Sequence, residues 1–472
     1  MGKTVQRELG ATEANWVLAV DGGTGITVSA FLFGHSLSKA TVQAAVIKLV
    51  SRRPFVRSQI VYVGQKLFFE LSEKTVLVEE LPNPIVGEGN NGKEEEEEEE
   101  AKEMWLKIVD VEMNILFPNT RPTPVFEVHL YNRGLPDGSS LVVLRSHSAS
   151  GDMLCTGVIG SEFLHSLKEA VQNGKSGEGG SAGLEAELRE KATLDNGGVG
   201  EDFEYDKALE KSVPEGANKK PLWAHGKDII GYGLGSLRQA YLPFRNTEQQ
   251  RKSQLIRASL SKDATDNLLK MCTTNSSDLY GALCAAALKS VAVYKKVGNN
   301  GELYHNIILY NCRSALDPQL PEDALGFYHS ALSKTFHTAE KDEYWKVAGG
   351  CSKEFQDAIK NRKHFTDMGS LNMLMVQAIN HPNLTPSSTL RTAMFSILYE
   401  PIIETTNREV TEVLHLKDFV SASSIQGVGP CFAIFHSLRD GALHLSFVYC
   451  PPLFARRDFQ TLVDSIVRYV TV

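Results

Sequence analysis

The run Leu37–Tyr62, LSKATVQAAVIKLVSRRPFVRSQIVY, carries two hydrophobic periods in succession. Val42, Ala45, Val46, Leu49 and Val50 recur at helical spacing, and Ser38 stands where a side-chain oxygen caps a first turn. Pro54 cannot continue the helix predicted over Ser38–Val50, and Val56–Val63 resumes as a strand. Such an alternation of helix and strand recurs along the chain. Upstream, Trp16–Val20 and Thr27–Phe33 read as strands flanking the turn Asp21-Gly22-Gly23-Thr24-Gly25. Downstream, Pro124–Leu130 and Leu141–Arg145 read as strands, and Met153–Val171 as a helix with Leu154, Val158, Phe163 and Leu167 on its apolar side. The later half adds helices at Ala264–Cys272, Leu279–Tyr294, Glu343–Ile359 and Met368–Ile379, and strands at Asn306–Asn311 and Thr392–Leu398. A hairpin, Phe432–Phe447, turns at Arg439-Asp440-Gly441, and an amphipathic helix runs from Asp458 to Tyr469. The predicted class is α/β (α+β), with mixed sheets and flanking helices.

At 472 residues the chain is too long for a single core. Two domains are expected, 1–215 and 253–472, with a crossover linker over 216–252. The composition, 42% hydrophobic and 22% charged, is that of a soluble globular protein. Of the formal charge of −8, Glu94–Glu100 alone supplies seven negative charges, so the remainder is nearly neutral and carries no basic nucleic-acid footprint. No apolar run is long enough to span a bilayer, MGKTVQRELG is too polar for a signal peptide, and Gln6 breaks the myristoylation pattern after Gly2. Seven scattered cysteines without a CxxC pair read as reduced thiols, not as disulfides or a metal centre. A cytoplasmic monomer is the expectation. Gly87–Glu103 reads as a disordered acidic loop. Asn173–Asp206 reads as a flexible segment with a short helical island at Leu184–Ala192.

Two stretches compete for chemistry. In LVVLRSHSASGD, Leu141–Asp152, a strand delivers His147 to a turn of small residues that ends in Asp152. A histidine braced by a nearby carboxylate is a ready general base, although a core histidine followed by a helix-capping aspartate has the same spelling. In VLAVDGGTGIT, Val17–Thr27, the glycine amides of the Asp21–Gly25 turn could cradle a phosphate, as in the first phosphate motif of the sugar-kinase and actin-like ATPase fold. The bland alternative is a tight turn between strands.

The segment VQAAVIKLVSRRPFVR resembles the LxxAxxxLxxRHPxLR helix of the chloramphenicol-acetyltransferase-like superfamily, which includes peptide-synthetase condensation domains and alcohol acetyltransferases. His147 follows about one hundred residues later, where that superfamily places its HxxxD motif. LYNCRSALDP, LGFYHSAL and SSIQGVGPCFAIFHSLRDGALHLSFVY then come in the expected order, so the resemblance, to a plant-type member, covers nearly the whole chain. It implies two chloramphenicol-acetyltransferase-like domains facing each other across a channel, with His147 at their interface and reachable from both faces. It implies a CoA-dependent acyltransferase in which His147 deprotonates a small alcohol or amine acceptor attacking an acyl thioester. Acyl-CoA would be a co-substrate, with no tightly bound cofactor. Ser423 or Ser424 would serve the oxyanion and Asp152 would hold the turn, with Arg313 a partner in a salt bridge. The aspartate stands one residue late here, after Gly151, which leaves open a catalytically silent member that binds a ligand or protein between the domains. The DFGWG motif of plant hydroxycinnamoyl transferases is absent.

Overall fold

The computed structural model describes residues 5–85, 94–175, 203–219 and 239–471. The first half runs β1 (Gln6–Glu8), α1 (Ala11–Asp21), β2 (Thr24–Phe33), α2 (Lys39–Arg52), β3 (Ser58–Val63), β4 (Lys66–Leu71), β5 (Val78–Glu80) and α3 (Glu94–Asn114). It continues through β6 (Thr123–Pro124), β7 (Phe126–Tyr131), β8 (Ser140–His147) and α4 (Met153–Lys175). The second half has β9 (Gln254–Ser259), α5 (Lys262–Thr274), α6 (Leu279–Lys295), β10 (Glu302–Asn311), β11 (His329–Thr338), α7 (Tyr344–Lys360) and α8 (Met368–Asn380). It closes with β12 (Arg391–Tyr399), β13 (Leu416–Ile425), β14 (Gly429–Arg439), β15 (Ala442–Tyr449) and α9 (Arg456–Thr471). No helix among the described residues is long and apolar enough to cross a membrane.

The class is mixed α/β, as the alternation predicts. A five-stranded sheet orders β13-β2-β8-β7-β5, a six-stranded sheet orders β11-β10-β12-β14-β15-β9, and β1-β4-β3-β6 form a smaller third sheet. Parallel pairs (β5 with β7, β10 with β12, β12 with β14) sit among antiparallel ones. One strand breaks the simple division into halves. β13, from late in the chain, pairs antiparallel with β2 and forms the edge of the sheet that carries His147.

The opening stretch folds as its pattern dictates. Ser38 Oγ accepts from the Thr41 amide at 3.0 Å to cap α2, and Val42, Ala45, Val46, Leu49 and Val50 are buried. They enter a core shared with α4 on the outer face of the five-stranded sheet. A second core runs from the inner face of that sheet (Ile26, Val28, Val143) through α3 (Trp105, Ile108, Val109, Met113) to the second half.

Two expectations change. Trp16–Val20 is not a strand but the last turns of α1, because a short apolar run carries no period of its own and the decision falls to its start. There Glu13 accepts from the Gly10 amide at 2.7 Å, half of a capping box. Glu94–Glu103, expected in a disordered loop, lies in α3. Glutamate is a good helix former, and negative charge at a helix N-terminus is favoured by the macrodipole. Residues 86–93, and the helical island expected at Leu184–Ala192, lie outside the described residues.

The glycines of the Asp21–Gly25 turn serve packing. Gly25 has φ +93°, and a Cβ there would stand 3.0 Å from both Ser148 and Trp16. Gly25→Ala is expected to cost about 1–3 kcal/mol through left-handed strain and overpacking. Urea denaturation checks this, and an unchanged midpoint would contradict it.

Candidate active site

His147 is the last residue of β8, directly opposite Ile26 of β2, and Arg145 is opposite Val28. Cross-strand partners share a face, so His147 and Arg145 point to the inner side, toward α3. The turn that follows is tight. The His147 carbonyl accepts from the Ser150 amide and the Ser150 hydroxyl, both at 2.8 Å, and Gly151 N donates to the Ser148 carbonyl at 3.4 Å. These stacked turns carry the chain from His147 to Asp152.

Asp152 is fully buried. Its Oδ2 accepts from Arg313 Nη1 at 2.9 Å and the Tyr328 amide at 2.8 Å, and its Oδ1 accepts from Arg313 Nη2 at 3.1 Å and the Cys155 amide at 3.0 Å. One carboxylate thus caps α4 and ties it to the second half of the chain. Burial alone would raise this carboxyl; the charges of His329 and Arg313, with hydrogen bonds from Arg313 and Cys155, hold it below its ordinary value. Arg313 also donates to the Ala324 carbonyl at 2.9 Å, so its fork is well used. Asp152 braces the turn and makes no hydrogen bond to the His147 ring.

The His147 ring has 0% exposure, so the expectation that it is reachable from both faces is corrected. It is covered by Phe117, ring centroids 5.3 Å apart, and Phe117 in turn lies under the Arg145 guanidinium at 4.9 Å. Arg145 is anchored by buried Glu112 of α3 at 3.2 Å, by Glu127 and by the Ile115 carbonyl. His147 Nδ1 accepts from the Ala149 amide at 3.2 Å, whereas Nε2 is buried without a hydrogen-bond partner. Burial, helped by the nearby Arg121 charge and opposed by a hydrogen bond to the ring's own carbonyl, lowers its pKa to about 3. The ring is neutral.

That shift sets a sign for acid stability. The folded value lies below the ordinary 6.5, so the unfolded chain takes up the proton first as pH falls. The stability that goes with a neutral ring is complete above about 6.5 and is lost between there and about 3. The urea midpoint should therefore drop on moving from neutral to mildly acidic buffer, and drop less in His147→Phe. An identical drop in both proteins would contradict the assignment. His305 and His364, each lowered to about 4 by burial, act in the same direction.

The two serines part company. Ser423 Oγ accepts from Thr27 Oγ1 at 3.2 Å, and Thr27 is opposite Ser146, which puts Ser423 on the face away from His147. Ser424 sits at a register shift, where its Oγ accepts from the Ile26 amide at 2.9 Å and so replaces a ladder carbonyl. Strand β2 lies between it and His147, so their backbones are about 10 Å apart, two inter-strand spacings. The glycine turn forms no phosphate cradle. The Gly22 and Gly23 amides close the end of α1 on Leu18 and Val20, and Asp21 accepts from Arg121 at 2.8 Å.

The sequence matches no family model and no curated protein. Solved structures do match over the full length. The TRI3 trichothecene 15-O-acetyltransferase of Fusarium sporotrichioides is 12% identical, with a TM-score of 0.68 over 100% of this chain and 97% of that one. The chain has the chloramphenicol-acetyltransferase-like fold. The first condensation domain of the calcium-dependent antibiotic synthetase shares this fold with a TM-score of 0.62 at 12% identity over 99% of this chain and 96% of its own. The epimerization domain of tyrocidine synthetase B, third module, has a TM-score of 0.57 at 14% identity over 100% and 97%. One fold thus carries several reactions, and chemistry has to be argued from the site.

Sequence reasoning did not single out Arg145, Glu112, Phe117, Arg121 or His329. A signal was present for Arg145, a charge two positions before His147 in an otherwise apolar strand. The others lie in segments whose own pattern says nothing of the strand they cover.

Proposed function

We propose that the protein transfers an acyl group from a thioester to a hydroxyl or amine of a small molecule, with His147 as general base. The observation that carries this reading is the unpartnered Nε2 of a neutral, rigidly framed imidazole at the end of β8. A buried nitrogen left without a partner costs about 1–3 kcal/mol; His329 and His364 also have such nitrogens, and what singles out His147 is its place at the end of β8, at the start of the turn that Asp152 and Arg313 brace. Base catalysis needs the tautomer in which Nδ1 carries the proton toward the ring's own carbonyl and Nε2 is bare, so the contact of Nδ1 with the Ala149 amide is given up when the acceptor binds. Nε2 takes the acceptor's proton as its oxygen or nitrogen attacks the thioester carbonyl. The tetrahedral oxyanion collapses, the C–S bond breaks, and the imidazolium returns the proton to the departing thiolate. Ser424, which uses its oxygen to accept from Ile26, keeps its O–H for the oxyanion. Acyl-CoA is the donor class proposed.

A second reading, a silent binding member of the fold, is favoured by the complete burial of His147. Release of free thiol from a panel of acyl-CoA esters, with alcohols and amines as acceptors, separates the two. Acceptor-dependent release supports the enzyme, whereas binding of the same esters without any release supports the silent member.

A further inference from the structure

The side chain that covers the His147 ring, Phe117, comes from a short segment between α3 and β6. Residues 115–122, between α3 and β6, belong to no helix or strand. Phe117 is 3% exposed against the His147 ring while the adjacent Leu116 is 51% exposed, so the segment turns from the interior to the surface within one residue. The far end of the segment is fastened by Arg121. It donates to Asp21 Oδ2 at 2.8 Å, to Thr123 Oγ1 at 2.7 Å and to the Pro118 carbonyl at 3.2 Å. Of these partners only Asp21, the last residue of α1, lies outside the segment and the strand that follows it. The link is a single contact with spare capacity on both sides, because Arg121 Nε and Asp21 Oδ1 are buried without hydrogen-bond partners. The near end is different. Arg145 holds the Ile115 carbonyl by a hydrogen bond from within a buried ionic network, so the hinge lies at Ile115, whereas it touches Phe117 only across the face of the ring.

We propose that residues 115–122 are a lid over His147, with Phe117 as its plug and the Arg121–Asp21 ion pair as its latch. Opening swings the Arg121 end away from α1 and draws Phe117 off the imidazole, which exposes Nε2. The proposal rests on the His147 reading for its purpose but not for its test. It accounts for a base kept in place without a partner, since the closed lid excludes water and hence idle hydrolysis of a bound thioester.

Diethyl pyrocarbonate acylates accessible neutral imidazoles, and peptide mass spectrometry on the full-length protein reads the rate at each histidine. Exposed His381 serves as the reference and buried His305 as the sentinel for general loosening. In Asp21→Asn and Arg121→Gln, His147 should react about tenfold faster than in wild type, the shift in opening that loss of one partly buried ion pair produces, with His381 and His305 unchanged. Phe117→Leu should do the same with the latch intact. An unchanged His147 rate in all three variants, or a rise shared with His305, overturns the lid. If His147 becomes reactive in the variants while no protein turns over a thioester, the lid stands and acyl transfer fails. If turnover depends on His147 while its reactivity never changes, the reverse holds.

Discussion

Asp152→Ala should lower the unfolding free energy by about 3–5 kcal/mol, because it strands the Arg313 guanidinium in the interior without its carboxylate. The same change removes the cap of α4 and the acceptor for the Tyr328 amide, so helix, turn and the second half of the chain loosen together. Asp152→Asn keeps an acceptor oxygen and should cost less. Urea denaturation at neutral pH measures both. A loss below about 1 kcal/mol for the alanine variant would mean that the pair is not the tie described. Since Asp152 braces the turn without bonding to the ring, whatever fraction of Asp152→Asn stays folded should keep part of the wild-type turnover.

His147→Ala has the largest expected effect on the proposed reaction, a fall of about 10²–10⁴-fold in turnover. The fall should appear in kcat with little change in KM, since the imidazole acts on the proton in flight rather than on substrate affinity. Stability should change far less than in Asp152→Ala, as the substitution removes an unsatisfied nitrogen along with ring packing against Phe117. Steady-state thiol release, fitted over acceptor concentration, gives the split. A purely KM effect would recast His147 as part of a binding surface.

What could be read from the chain follows from how local each signal is. α2 announced itself because Ser38, five apolar residues and Pro54 lie within one short segment, and the β14–β15 hairpin because its turn is Arg439-Asp440-Gly441. The place of His147 at a strand end was legible for the same reason. α1 was misread because its deciding residues, Gly10 and Glu13, precede the apolar run that draws the eye. The edge position of β13 was invisible, as a strand's pattern records which face is buried and not which strand lies beside it. The closure of His147 was equally hidden. Phe117 is thirty positions upstream on a segment with no period, and nothing near it spells the contact. Likewise nothing in the sequence pairs Arg121 with Asp21, 100 positions away, until the fold brings them together.

The central claim is that His147 moves the proton in acyl transfer. Single-turnover mixing of wild type and His147→Ala with an acyl-CoA and an acceptor, followed by mass analysis of the acceptor, tests it most directly. The account predicts acylated acceptor in the wild type and almost none in the variant over the same interval. Equal amounts from both proteins would contradict it.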